Sequence, residues 1–311
     1  MKLLVLGSGA GGGVPQWNCG CPLCRGARDG SRTIAPRTQS SIAVSPDGER
    51  WILLNASPDI GTQLRQQTLL HPQHGLRHSP IKAVVLMDAQ IDHVTGLLSL
   101  REGAPIELYA TPCVREDLTT GLPIAGVLAH YCGVHWHEIA VAGDCRVAEF
   151  PVAGFEDTLR LRAIAIPGKA PPYSPHRNNG QVGDNIALEI TDLASSKRAF
   201  YAPGLAGVGP AEMEWMRDAE CLLVDGTFWT EDEMVTAGLG TKRAADMGHL
   251  PQTAADGAQN MIDVLAACRG AQKWLIHINN SNPILDDDGA ERARLAAAGI
   301  GVAHDGLLIE I

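Results

Sequence analysis

A chain of 311 residues with 45% hydrophobic and 19% charged residues is long enough to bury a full core and too apolar to be disordered. Its formal charge of −10, from 25 basic and 35 acidic side chains, speaks against a nucleic-acid partner, because such proteins show a basic face. No apolar run approaches the about 18 residues of a membrane span, and the short apolar start at 2–6 reads as a strand rather than a secretory leader, so the expected compartment is the cytoplasm.

Strand patterns fall at 2–6, 41–44, 51–55, 83–87, 106–109, 159–166, 186–190, 199–201, 221–224, 273–277 and 307–311. Ser57-Pro58-Asp59 has the chemistry of a helix start, with Ser as cap, Pro in the first turn and an acid beside it. Apolar residues at helical spacing predict helices over 254–268, ahead of Gly270, and over 291–298, stopped by Gly299. Strands come singly or in pairs between helices in both halves. The expectation is one α/β layered domain over 1–311, with mixed sheets. The segment 167–183 is rich in Pro, Gly, Asn and His and has no period; loops that long are functional or disordered.

Gly7-Ser8-Gly9-Ala10-Gly11-Gly12 satisfies GxGxxG after a strand, but Val14-Pro15-Gln16-Trp17-Asn18 follows and no helix opens. A dinucleotide would lack its helix N-terminus, so the run reads as a tight turn. Eight cysteines in a reducing compartment are not four disulfides. Cys113, Cys132, Cys145, Cys221 and Cys268 read as free buried thiols. Cys19-Gly20-Cys21-Pro22-Leu23-Cys24 differs, because its spacing lets three thiolates converge from one loop. Tetrahedral zinc needs one more donor from elsewhere.

The apolar run Val84-Val85-Leu86-Met87 leads into the polar turn Asp88-Ala89-Gln90-Ile91-Asp92-His93, where alternate residues can aim oxygen and nitrogen donors at one point. His249 sits in a Gly-His-Leu-Pro turn and is an acid–base or substrate-contact candidate. His135 and His137 alternate like one face of a strand and read as structural. Lys169, Tyr173, His176 and Arg177 in the long loop are candidate substrate contacts. Asp225, in Asp-Gly-Thr after an apolar strand, reads as a turn.

The turn resembles that of the metallo-β-lactamase superfamily, H-x-H-x-D-H, with Asp88 and Gln90 in place of the first two histidines and with Asp92 and His93 kept. The segments 54–60, 275–279 and His304-Asp305-Gly306 resemble the upstream turn, the late metal-histidine strand and the C-terminus of the phosphodiesterase-like branch. In that branch a C-x-C-x-x-C loop and a late His bind structural zinc. With Gly248-His249-Leu250-Pro251, the run 277–283 and the D-x-Q-x-D-H turn, nearly the whole chain is similar to the pyrroloquinoline quinone biosynthesis protein B family. The resemblance implies a four-layer αββα sandwich, and structural Zn2+ on Cys19, Cys21, Cys24 and His304.

The departures from the binuclear hydrolases carry chemistry. Ile166-Pro167-Gly168-Lys169 and Ala202-Pro203-Gly204 stand where those enzymes have a His and a bridging Asp. What remains is Asp92, His93 and His277 with Gln90 as a neutral donor, and Asp88 as a ligand, a base or an orienting group. Two histidines and a carboxylate form the ligand set of non-haem iron(II) oxygenases. The resemblance implies a role in making pyrroloquinoline quinone from a Glu and a Tyr of a peptide precursor, and together with this ligand set the expected reaction is hydroxylation, with Fe2+ and O2, of the tyrosine ring in the small excised Glu-Tyr unit. His249 and the loop would place the substrate, and other proteins of the same biosynthesis are possible contacts. Two readings stay open: a metallohydrolase that trims the peptide precursor, and a non-catalytic carrier of the cofactor or its precursor.

Overall fold

In the computed structural model, which describes residues 1–255 and 257–311, the apolar strand runs serve two interiors at once. The first sheet contains β1 (Lys2–Gly7), β2 (Ser41–Ser45), β3 (Trp51–Leu54), β4 (Ile81–Val85), β5 (Ile106–Ala110) and β6 (Val134–Glu138). The second contains β7 (Val147–Phe150), β8 (Leu159–Ala165), β9 (Ile186–Asp192), β10 (Arg198–Ala202), β11 (Cys221–Asp225), β12 (Gln272–Ile276) and β13 (Gly301–Val302). The last strand, β14 (Leu308–Glu310), returns to the first sheet and lies antiparallel beside β1. The orders are β14-β1-β2-β3-β4-β5-β6 and β13-β12-β11-β10-β9-β8-β7. Each sheet is antiparallel at one end and parallel at the other.

Side chains along a strand point alternately to opposite faces. Leu3 and Val5 of β1 therefore join Leu161, Leu188 and Tyr201 between the sheets, while Leu4 and Leu6 pack outward with Ile60, Val94 and Leu118 under helices. The outer face of the second sheet packs Phe200, Leu222 and Val224 against Trp215, Met216 and Leu265 of helices. Burial on both faces explains the near-continuous apolar strands, and the layers run αββα.

Some expected elements shift. Ser57 is not a helix cap: it is buried, and the helix Ile60–Gln66 starts later. The Ser57 Oγ sits 3.2 Å from Gln63 Oε1 instead. Of the expected helix over 254–268, only Met261–Ala266 is helical. Gly257, at φ +77°, cannot sit in a right-handed helix, and Asn260 caps the start by accepting from Asp263 N; position 256 lies outside the described residues. The strands β6, β7 and β13 had no apolar signal, because they are short and flank the sheets or carry polar faces. On β6, His135 and His137 bond Glu107 of β5 at 2.7 and 2.6 Å. Residues 167–183 form turns without helix or strand. Among the described residues no helix is long and apolar enough to cross a membrane.

Candidate metal centre

The polar turns after the parallel strands β4, β11 and β12 meet at one edge of the sandwich. Carboxyl ends of strands are where α/β folds gather ligand-binding groups. The turn after β3 clamps the first of them. Ala56 N donates to His93 O at 2.7 Å, Gly96 N to Ala56 O at 2.9 Å, and Met87 N to Asn55 Oδ1 at 2.9 Å. The approach is close enough that a Cβ on Gly96 would lie 2.0 Å from Ser57 O. Gly96→Ala is therefore expected to cost about 1–3 kcal/mol or more by overpacking, read as a lower urea midpoint with unchanged slope.

Three histidines are each anchored at Nδ1. His93 bonds both oxygens of Asp88, at 2.8 and 2.9 Å. His277 bonds the Thr227 hydroxyl at 2.9 Å, and His249 bonds Asp225 Oδ2 at 2.7 Å. Such anchoring of the far ring nitrogen is what orients metal-binding histidines, and it leaves each Nε2 for another partner. The His93 Nε2 is buried without a partner, and the His277 Nε2 lies 3.1 Å from Asp92 Oδ2. The ligand atoms of Asp92, His93 and His277 all lie within 4.8 Å of one another. An orphaned imidazole nitrogen facing a histidine and a carboxylate fits a divalent cation. His277 itself has φ +61°, an uncommon conformation of the kind that collects at functional sites.

The electrostatics agree. Burial alone would lower the His93 pKa, but Asp88 and Asp92 outweigh it and raise it to about 9. Burial opposes ionisation of Asp92, yet His93 and His277 hold it below the usual carboxylate range. The same balance, burial against a partner, raises His249 and lowers Asp225.

Of the roles expected for Asp88, the orienting one is present: its carboxylate holds His93 Nδ1. Other expectations are corrected. Gln90 lines the cleft, and its side-chain N–H donates to Lys169 O at 2.9 Å. Asp225 is not a mere turn residue. It is fully buried and accepts four bonds, from Leu205 N, Thr227 N, the Thr227 hydroxyl and His249. With His249 and His277 it forms a second close group. An acid at the carboxyl end of a buried parallel strand was the signal that could have found it. Thr227 and Lys242 are further residues of the site without a sequence motif. The glycine run is more than a turn: Ala10 and Gly11 line the cleft, and a Cβ on Gly11 would meet Asp92 Oδ2 at 3.3 Å.

The cleft over the centre has a volume of about 270 Å³, and Lys169, Arg177 and Lys242 are among its walls. Tyr173 and His176 do not line it. The Tyr173 hydroxyl donates to Ala89 O, and His176 bonds Glu116 at 3.0 Å. Both tie the loop down.

The thiols of Cys19, Cys21 and Cys24 converge within 4.8 Å at the start of the helix Pro22–Asp29. His304 does not join them. It is exposed with Nδ1 on Asp305 O at 3.1 Å, because Asp305 is tied to Ser8 and Thr38 and fixes the turn. Asn280 is there instead, with its side-chain amide 3.3 Å from Cys24 Sγ and its carbonyl 3.7 Å from Cys21 Sγ.

Beside the centre, Glu233 is buried, accepting from Trp229 N at 2.6 Å and from the Ser281 hydroxyl at 2.5 Å. Burial raises its pKa from 4.5 to about 7. The native state therefore keeps this proton where the unfolded chain has lost it. The contribution to stability is fully present below the unfolded value and is lost as pH rises through about 7. Glu233→Gln keeps an acceptor for Trp229 and, like the protonated carboxyl, puts an N–H on the Ser281 oxygen, which turns its own proton away. It is expected to gain ~3 kcal/mol over the parent at pH 8 and nothing at pH 4, measured by denaturant unfolding at both values.

The family model described as beta-lactamase superfamily domain matches residues 50–278. Coenzyme PQQ synthesis protein B of Nitrosococcus oceani is 52% identical over 309 residues, covering 99% of each chain. Its namesake from Pseudomonas aeruginosa is 52% identical over 311 residues, covering 100% of each. The crystal structure of Zn(2+)-bound PqqB from Methylobacterium extorquens is 40% identical and superposes with a TM-score of 0.87 over 100% of both chains. The αββα layering is thus the metallo-β-lactamase fold, and the chain belongs to the coenzyme PQQ synthesis protein B family of the beta-lactamase superfamily.

Proposed function

We propose that this protein is a metal-dependent enzyme of pyrroloquinoline quinone biosynthesis that hydroxylates the tyrosine ring of a Glu-Tyr-derived precursor, using one Fe2+ and O2. The observation that carries the reading is the donor set: two imidazoles with anchored far nitrogens and one carboxylate, Asp92, around a buried unpartnered Nε2. That is the ligand type of non-haem iron(II) oxygenases, and bound iron(II) would supply the one-electron chemistry that O2 requires. Each hydroxylation joins one oxygen atom to a ring carbon and releases the other as water, consuming two electrons from a small-molecule reductant and two protons.

The rest falls to this chain's own residues. Lys169, Arg177 and Lys242 place three cations on the cleft wall, complementary to the carboxylates of a glutamate-derived unit. His249, with Nδ1 held by Asp225, presents Nε2 for holding or moving a proton. The loop 167–183 covers the cleft and limits water. We further propose structural Zn2+ on Cys19, Cys21 and Cys24 with Asn280 as the fourth donor in place of His304, since an amide can turn its oxygen to an ion.

A hydrolytic reading is favoured by one feature, the second group formed by Asp225, His249 and His277, which a second ion would need. Against it, both Asp225 oxygens already accept two bonds each, their ordinary capacity. The test is isotope incorporation by iron-loaded, anaerobically prepared protein. Label from 18O2 is expected in the new hydroxyl group. Label arriving from water alone, with equal turnover under anaerobiosis and zinc, would overturn the hydroxylase and establish the hydrolase.

A further inference from the structure

We propose a further metal site, outside the catalytic cleft, in which a zinc ion is held by Cys113, His176 and Asp184 with the Asp117 carboxylate beside it. The thiol, a ring nitrogen and a carboxylate oxygen of the first three lie within 4.8 Å of one another. Cys113 and Asp117 stand four residues apart on the helix Pro112–Thr119 and so share a face. His176 and Asp184 come from the long irregular segment before β9. Asp184 and Asp117 are 4% and 1% exposed, and each has an Oδ1 without any hydrogen-bond partner. An unsatisfied buried carboxylate oxygen is costly, at about 1–3 kcal/mol or more, and two beside one thiol ask for a cation. Glu116 takes the His176 Nε2 at 3.0 Å, the anchoring of the far nitrogen that metal-binding histidines show.

A mixed sulfur, nitrogen and oxygen set suits zinc. The ion would fasten the segment carrying Lys169 and Arg177 to the helix below. The Thr111 hydroxyl on Gly183 O at 2.6 Å and Cys113 Sγ on Val182 O at 3.5 Å already hold the same seam.

Crystals of the full chain equilibrated with zinc chloride should show an anomalous peak, at the zinc edge, about 2.3 Å from Cys113 Sγ. In solution, Asp184→Asn and Cys113→Ser should each lose one zinc ion per chain relative to the parent, while the Cys19, Cys21 and Cys24 site keeps its own. A map with no peak at Cys113, or zinc content unchanged by both variants, would overturn the assignment. Should a variant fail to fold, the map of the parent protein decides alone.

Discussion

His93→Ala is expected to abolish metal binding at the catalytic centre and to lower turnover at least about a thousandfold, ~4 kcal/mol of barrier. The substitution removes an imidazole whose Nε2 is buried without a partner, and it strands Asp88, 5% exposed, without the ring it orients. His277→Asn should behave alike. Asn is the better replacement there because it tolerates the φ of +61° that His277 holds, so loss of metal is not confused with backbone strain. Thr227→Val removes only the hydroxyl that holds His277 Nδ1 and should cost about 10–100-fold in metal affinity. Iron content by mass spectrometry and label uptake from 18O2 measure all three. A His93→Ala protein with full iron and undiminished label would show that the ligands lie elsewhere.

Cys21→Ser is expected to lose the structural zinc and to melt well below the parent. Cys21 accepts from Cys24 N at the start of the helix Pro22–Asp29 and touches the Asn280 carbonyl. The ion would join the N-terminal loop to the turn after β12, three residues beyond His277. Because a structural zinc contributes its binding energy to folding, losing it should cost on the order of several kcal/mol. Asn280→Ala should lose much of the same zinc, whereas His304→Ala should lose none. Zinc content and melting of the three proteins separate the two candidates for the fourth donor; zinc lost with His304 and kept without Asn280 would restore the histidine.

Sequence by itself determined the strands whose both faces are buried, such as 51–55 and 221–224, because a parallel strand between two layers must be apolar throughout. It also determined the convergence of three thiols, since the spacing of Cys19, Cys21 and Cys24 closes within one turn. The pair Asp92-His93 was legible for the same reason: local spacing fixes local geometry.

Only the tertiary structure decided what lies far apart in the chain. Asp225 looked like a turn residue until β11 brought it under His249, 24 residues away. The Gln90 side-chain N–H finds its acceptor in Lys169 O, 79 residues on. His304 was the fourth donor expected from the resemblance, and the hydrogen bonds that fix Asp305, formed with Ser8 and Thr38, leave His304 exposed while Asn280 lies against the thiols. Cys113 read as a lone buried thiol until the packing of 167–184 set His176 and Asp184 against it. A side chain's partner depends on which segments the sheets bring together, and no local pattern encodes that pairing.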